Sequence, residues 1–355
     1  MTNTESQTTR RRLLKALAVL SGAALPAAAA QVTPRRAARI AVVLPRRSPY
    51  PALAETFMTG LTGSLDGQHV TVSAVQTGPA PRAAAEAART ALRDSPDLLV
   101  LLGDGLTRAA QPALLERPTP VLAAEFGVQR PDLHQPAPLA LTVSLHSWEA
   151  EWAHARTLAR HAGVYLLISH LDSGYDLPFA VTSGLQAGRG VLSGTALFDP
   201  AAPDHAALVR QVRESGAAHV HVLASGTGAA TVGALRRAGF SVSAGGLTAP
   251  DLNVPRALAA ASTSLLPVQA LGFDTGRWIS AALTGPLTPS AVHTALACAA
   301  VTGTRGTLSV DAHGVLRAPL TLLGAGKPQV LTPPNLLQLE PAGLRSGWLH
   351  TYLHA

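Results

Sequence analysis

From residue 38 onward, short runs of leucine and β-branched residues alternate with longer alanine-rich stretches whose apolar positions recur at helical spacing. Ala38 to Leu44 reads as a buried strand, and Tyr50 to Leu65 as a helix with Leu53, Phe57, Leu61 and Leu65 along one face. Strands follow at Val70 to Val75, Asp97 to Leu102 and Pro120 to Ala124, separated by helices over Ala80 to Arg93 and Ala109 to Leu115. The run Leu98-Leu99-Val100-Leu101-Leu102 has no polar alternation, the mark of a parallel strand covered on both faces. This half of the chain predicts a doubly wound sheet.

A proline-rich connection at 131–138 interrupts the rhythm, which then begins afresh as a second lobe. Helices are predicted over Glu149 to Ala162, Leu177 to Ala187, His205 to Ser215 and Thr227 to Ala238. They alternate with strands at Gly163 to Ser169, Val191 to Phe198, His219 to Ala224 and Ser241 to Gly245. Beyond Leu265 come a helix carrying Trp278 and another over Ser290 to Ala299. A β-hairpin over Leu308 to Leu323 is then expected, turning at Asp311-Ala312-His313-Gly314. Trp148 and Trp152, four apart on one helix, read as a core stripe.

The first thirty residues follow a different pattern. A basic cluster (Arg10, Arg11, Arg12, Lys15) precedes an apolar run from Leu13 to Leu25 and a small-residue tail, Ala27 to Ala30. That order is a secretory signal, and the run is shorter than the roughly 20 residues that span a bilayer. Thr9-Arg10-Arg11-Arg12-Leu13-Leu14-Lys15 resembles the twin-arginine translocation motif, with ordinary Sec export as the alternative. The single cysteine, Cys298, is far from the apolar run, so no lipid anchor is predicted; one cysteine also forms no internal disulfide. In its Ala-rich helix it reads as a small core residue. The expected product is exported and soluble in the periplasm or cell envelope, stabilised by its core alone.

The 355 residues, 47% of them hydrophobic, suffice for two ordinary domains. Removing residues 1–30 takes away four basic groups and Glu5, so the formal charge falls from +7 to 24 − 20 = +4. The remaining arginines are dispersed, which argues against a nucleic-acid partner.

The ordered segments resemble a known family, the type I periplasmic solute-binding proteins of the leucine/isoleucine/valine-binding kind that serve ABC transporters. Leu44-Pro45 with Ser48-Pro49-Tyr50 is similar to that family's opening strand and turn. Leu102-Gly103-Asp104-Gly105-Leu106-Thr107, with Gln111-Pro112 after it, is similar to the loop that holds the ligand carboxylate. Ser173-Gly174-Tyr175-Asp176 matches an aromatic turn in which Asp176 replaces a glycine, and Gly190 to Arg213 resembles a strand, loop and helix of the second lobe. Thr302 to Gly314 resembles a glycine-rich hairpin near the family's C-terminus, with Val310 in place of Phe.

The resemblance implies two α/β lobes joined by hinge strands, about 38–143 plus 249–316 and 144–248 plus 317–355. A small solute (an amino acid, amide or small carboxylate) would be trapped between them and presented to an ABC permease in the inner membrane by a monomer. It further implies ligand contacts at Gly105, Leu106 and Thr107, at the backbone clamp Gly127, Val128 and Gln129, and at Tyr175. Tyr50, Ser147, Ser225 and Thr248 are further candidates. Thr107 suits a helix N-cap equally well, and the clamp suits a surface loop. Amino-acid binders of the family place an acid in the second lobe's last loop, whereas Gly246-Leu247-Thr248-Ala249 has none. A neutral or anionic solute is therefore as consistent as an amino acid.

An exported ligand-sensing subunit that signals through a partner is a second reading. A third class, hydrolysis, is suggested by the likeness of residues 102–107 to a Gly-Asp-Ser-Leu block, but Gly105 stands where the nucleophilic serine belongs. The protein is thus expected not to be an enzyme. His219 and His221 share a strand face, yet no Cys/His/carboxylate set has a zinc spacing, so neither a metal nor a cofactor is expected. If the arginine pair directs export, Arg10→Lys with Arg11→Lys will abolish secretion, measured as the periplasmic fraction of a tagged chain; continued secretion indicates Sec.

Overall fold

The computed structural model describes residues 36–48, 52–131, 137–174, 176–225, 228–247, 254–258, 265–324, 326–336 and 339. The signal-like segment and the candidates Tyr50, Tyr175 and Thr248 lie outside them.

Five strands open the chain's first sheet: β1 (Ala38–Pro45), β2 (Val70–Thr77), β3 (Leu98–Leu102), β4 (Val121–Glu125) and β5 (Ala140–Ser144). All pair in parallel, in the order β5-β4-β3-β1-β2. Helices α1 (Leu53–Leu65), α2 (Pro81–Arg93) and α3 (Leu106–Glu116) connect them. Strands β1, β3, β4 and β5 are buried on both faces because alternate residues serve two cores, while the edge strand β2 is mostly exposed. Ile40, Val42, Leu98, Val100 and Leu122 face α1, whereas Ala41, Val43, Leu99, Leu101 and Val121 face the alanines of α2 and α3. This is the doubly wound arrangement that the uninterrupted apolar runs predict.

The second sheet is also wholly parallel, ordered β7 (Leu192–Phe198), β6 (Val164–Ser169), β8 (His219–Leu223), β9 (Ser241–Gly245). One face carries α4 (Ser147–Leu158) and α5 (Leu177–Ala187); the other carries α6 (His205–Glu214) and α7 (Ala229–Arg237). Trp148 and Trp152 are buried in the former layer, as their spacing predicts.

Beyond β9 lie β10 (Arg256–Leu258), α8 (Pro267–Ala282), α9 (Pro289–Cys298), β11 (Ala300–Gly303), β12 (Gly306–Val310), β13 (Val315–Arg317), β14 (Leu320–Leu323) and β15 (Gln329–Leu331). β11, β12 and β13 extend the first sheet, with β13 parallel to β5. β10, β14 and β15 form a small antiparallel sheet of their own.

Two expectations are corrected. The hairpin turns at Asp311–Gly314 as expected but ends at Arg317, because Pro319 lacks an N–H for the ladder and the chain leaves for the third sheet. Cys298 is exposed, not in the core: α9 buries only Val292 and Leu296, and Cys298 lies half a turn past that face.

Helices α1 and α8 pack at backbone distance. A β-carbon on Gly272 would collide with the Phe57 carbonyl oxygen, and one on Gly60 with the Gln269 carbonyl. No rotamer change relieves a clash with backbone. Gly272→Val is expected to lower unfolding free energy by about 3 kcal/mol, read as a reduced denaturant midpoint at unchanged slope.

Candidate functional site

In open α/β sheets the loops at the carboxyl ends of strands carry ligands, since their N–H groups have no ladder partner. Here the loops after β3 and β4 converge on one side chain. The Asp104 carboxylate, 2% exposed, accepts from four successive backbone N–H groups: Phe126 (2.5 Å) and Gly127 (3.2 Å) on Oδ1, Val128 (2.7 Å) and Gln129 (3.4 Å) on Oδ2. Burial pushes this carboxyl above its ordinary range, and the four donors pull against that shift. The chain reaches the cradle through glycines at positive φ, Gly103 (132°), Gly105 (76°) and Gly127 (66°). Gly127 also has no room for a β-carbon, which would lie 2.5 Å from Ser144 Oγ and 2.9 Å from His146 N.

The residues predicted at the ligand therefore divide. Gly127, Val128 and Gln129 do form a backbone clamp, and it holds the chain's own carboxylate. Gly105 is the left-handed N-cap of α3, and Leu106 is buried in the core. Thr107 is not that N-cap: it lies within α3, 1% exposed, and its hydroxyl has no hydrogen-bond partner among the described residues. Ser147 starts α4 and gives its hydroxyl proton to the Phe126 carbonyl (2.7 Å). Ser225 is engaged across the second sheet, as follows.

At the carboxyl ends of β6, β8 and β9 a second buried carboxylate repeats the device. Asp172 Oδ2 accepts from Ser169 Oγ (2.5 Å) and Ser225 N (2.8 Å), and Oδ1 from Ser225 Oγ (2.5 Å). Ser225 Oγ in turn accepts from Leu247 N (2.9 Å). Burial raises the Asp172 carboxyl against these donors, and the nearby charge of Glu151 adds to the rise. The loop at Gly246 has no acid of its own, yet the fold brings Glu151 to it, whose Oε1 accepts from Gly246 N at 2.7 Å.

The two mouths touch. Asp176 Oδ2 accepts from Arg130 N (3.0 Å), and Asp176 N donates to the Val128 carbonyl (3.2 Å). The acid that replaces a glycine in the turn is thus a latch between the loop after β4 and the start of α5.

Sequence reasoning missed Asp104, Asp172 and Glu151 as site residues. The one available signal was an acid between two glycines at a strand-to-helix turn. Elsewhere, a cavity of about 490 Å³ is lined by His146, Glu149, Asp311 and Arg317. Its polar groups satisfy one another: Arg317 donates to Glu149 (2.7 Å) and Asp311 (2.6 Å), and His146 lies 2.7 Å from Glu149.

Residues 38–272 match the family model described as "Periplasmic binding protein". Among solved structures, an ABC-transporter solute-binding protein of R. palustris in complex with benzoate is similar at 16% identity and TM-score 0.65, over 84% of this chain and 97% of that one. The leucine-binding protein LivK of Thermotoga maritima is similar at 15% identity and TM-score 0.62, over 84% and 99%. The substrate-binding protein LivJ of Streptococcus pneumoniae, in complex with isoleucine, is similar at 12% identity and TM-score 0.66, over 84% and 100%. These likenesses show the fold, with its two α/β lobes. No curated protein matches in sequence.

Asp104→Ala would leave four buried N–H groups facing a void. It is expected to cost about 3 kcal/mol of stability, and formate, small enough to fill the cradle, should restore part of the loss in a thermal melt while formamide should not.

Proposed function

The chain belongs to the periplasmic binding protein family, and from that premise we propose that it is the exported solute-binding protein of an ABC importer, closing on a small solute and presenting the closed form to the permease. The observation that carries this reading is the meeting of loops from two separate sheets at residues 104–107, 126–130 and 172–174, with Asp176 bonded across the junction. A solute that touches both mouths only when they are together shifts an open–closed equilibrium toward the closed state. No covalent step is needed for that work.

The cradle after β4 bears on the solute class. The related proteins from R. palustris and S. pneumoniae hold benzoate and isoleucine. In this chain the four N–H groups are taken by Asp104, and Asp172 and Asp176 lie nearby, so an incoming carboxylate meets filled donors and like charge. Among amino acids, amides and small carboxylates, we place a neutral amide first. The Thr107 hydroxyl, buried and without an internal partner, is its polar contact.

A thermal-shift screen of the mature protein against amides, urea derivatives, branched amino acids and small carboxylates tests both parts. Amides are expected to raise the melting temperature and carboxylates to leave it unchanged. Thr107→Val, which keeps the shape and removes the hydroxyl, should weaken a hit about fivefold. A hit that tolerates both Thr107→Val and Asp176→Ala binds elsewhere, and the placement fails.

A further inference from the structure

Below the mouth of the second lobe, one helix and one strand bring together three metal-ligating side chains. Glu151 and His154, three residues apart on α4, share a helix face, and His221 in β8 points at the same spot. Glu151 Oε2, a ring nitrogen of His154 and a ring nitrogen of His221 all lie within 4.8 Å of one another. All three side chains are inaccessible, at 1%, 0% and 0% exposure.

Two of the three are already oriented as ligands are. Glu151 Oε1 is held by Gly246 N (2.7 Å), which leaves Oε2 facing the cluster. His221 directs Nε2 to Glu151 Oε2 at 2.9 Å, and its Nδ1 lies 2.8 Å from Ser243 Oγ. With Nδ1–H donating to that hydroxyl, Nε2 presents its lone pair to an ion, the outer-shell arrangement that metal-bound imidazoles use. Ser243 Oγ continues to His219 Nε2 (2.7 Å) and from His219 Nδ1 to Ser241 Oγ (2.9 Å), so the support reaches the edge of the sheet.

His154 has no such explanation without an ion. Among the described residues neither of its ring nitrogens has a hydrogen-bond partner, although the ring is fully buried. Its one ring contact is edge-on to His221, centroids 5.2 Å apart. A buried imidazole with both nitrogens unsatisfied is a costly side chain that leucine would replace without penalty.

We propose that Glu151, His154 and His221 form a buried site for one divalent first-row metal ion, zinc in the first instance, that pins α4 to β8 inside the second lobe. Two imidazoles and a carboxylate are a donor set that zinc takes, with a fourth position left for water. Ligand bonds of about 2.1 Å put tetrahedral ligand atoms about 3.4 Å apart. In the present structure His221 Nε2 and Glu151 Oε2 are 2.9 Å apart and no two of the three ligand atoms are more than 4.8 Å apart, which brackets that spacing.

The test is titration of chelator-treated mature protein with zinc ions alone, followed by calorimetry and thermal melting. The wild-type chain is expected to take up one ion and to melt at a higher temperature with it. His154→Leu, which gives up no hydrogen bond, should keep the metal-free melting temperature or raise it and lose both zinc responses. Glu151→Gln, which can still accept from Gly246 N, should weaken uptake more than about 100-fold. No uptake by the wild-type chain, or uptake of equal affinity by His154→Leu, overturns the proposal.

Discussion

The molecule is organised around unsatisfied backbone N–H groups at the carboxyl ends of its parallel strands. The inner strands β3, β4, β6 and β8 are buried along nearly their whole length, so the loops that leave them begin in a dry environment with donors that have no ladder partner. Unpaired, each would cost roughly 1–3 kcal/mol. Each lobe answers with an internal carboxylate: Asp104 receives four N–H groups in the first, and Asp172 one N–H and two hydroxyls in the second. Removing water from these acids raises their pKa, and the converging donors are what make their burial tolerable.

That arrangement fills from within the seat that the fold's strand-end N–H groups would offer an anion. Asp176 belongs to the same economy of donors: by accepting from Arg130 N and donating to the Val128 carbonyl, it joins the loop that cradles Asp104 to the opposite sheet. The cradle and the latch share Val128, whose N–H bonds Asp104 and whose carbonyl accepts from Asp176 N.

Two arginines brace the C-terminal hairpin of the first sheet. Arg305, wholly buried, donates to Asp274 on α8 at 2.6 Å and to the Ser144 carbonyl where β5 ends, while Thr304 N also bonds Asp274. Arg317, at the end of β13, bonds Asp311 within its own hairpin and Glu149 on α4. Both arginines thus tie a hairpin of the first sheet to a segment that leads into the second. Breaking one side of the buried Arg305–Asp274 pair would strand a charge, a loss of about 3–5 kcal/mol by analogy with other buried pairs.

The sequence by itself determined the two-lobe α/β fold. Runs such as Leu98 to Leu102 and the helical stripe Leu53, Phe57, Leu61 and Leu65 carry their period in adjacent residues, and period is a local property. The burial of Trp148 and Trp152 was legible for the same reason, whereas the loops at 103–107 and 127–129 stood out only through the family resemblance. What only the tertiary structure decided involves partners far apart in the chain. Asp104 meets residues 22 to 25 positions later, Asp172 meets Ser225, and Glu151 meets His221 and Gly246. No spacing rule reaches across those distances, since which acid enters which cradle depends on how β3 lies beside β4 and α4 lies on β8. The Glu-x-x-His step at 151–154 is a local signal that gains meaning only when a strand supplies the third ligand. Cys298 and the truncated hairpin make the same point in reverse: composition suggested burial and continuation, and the packed face of α9 and the proline at 319 determined otherwise.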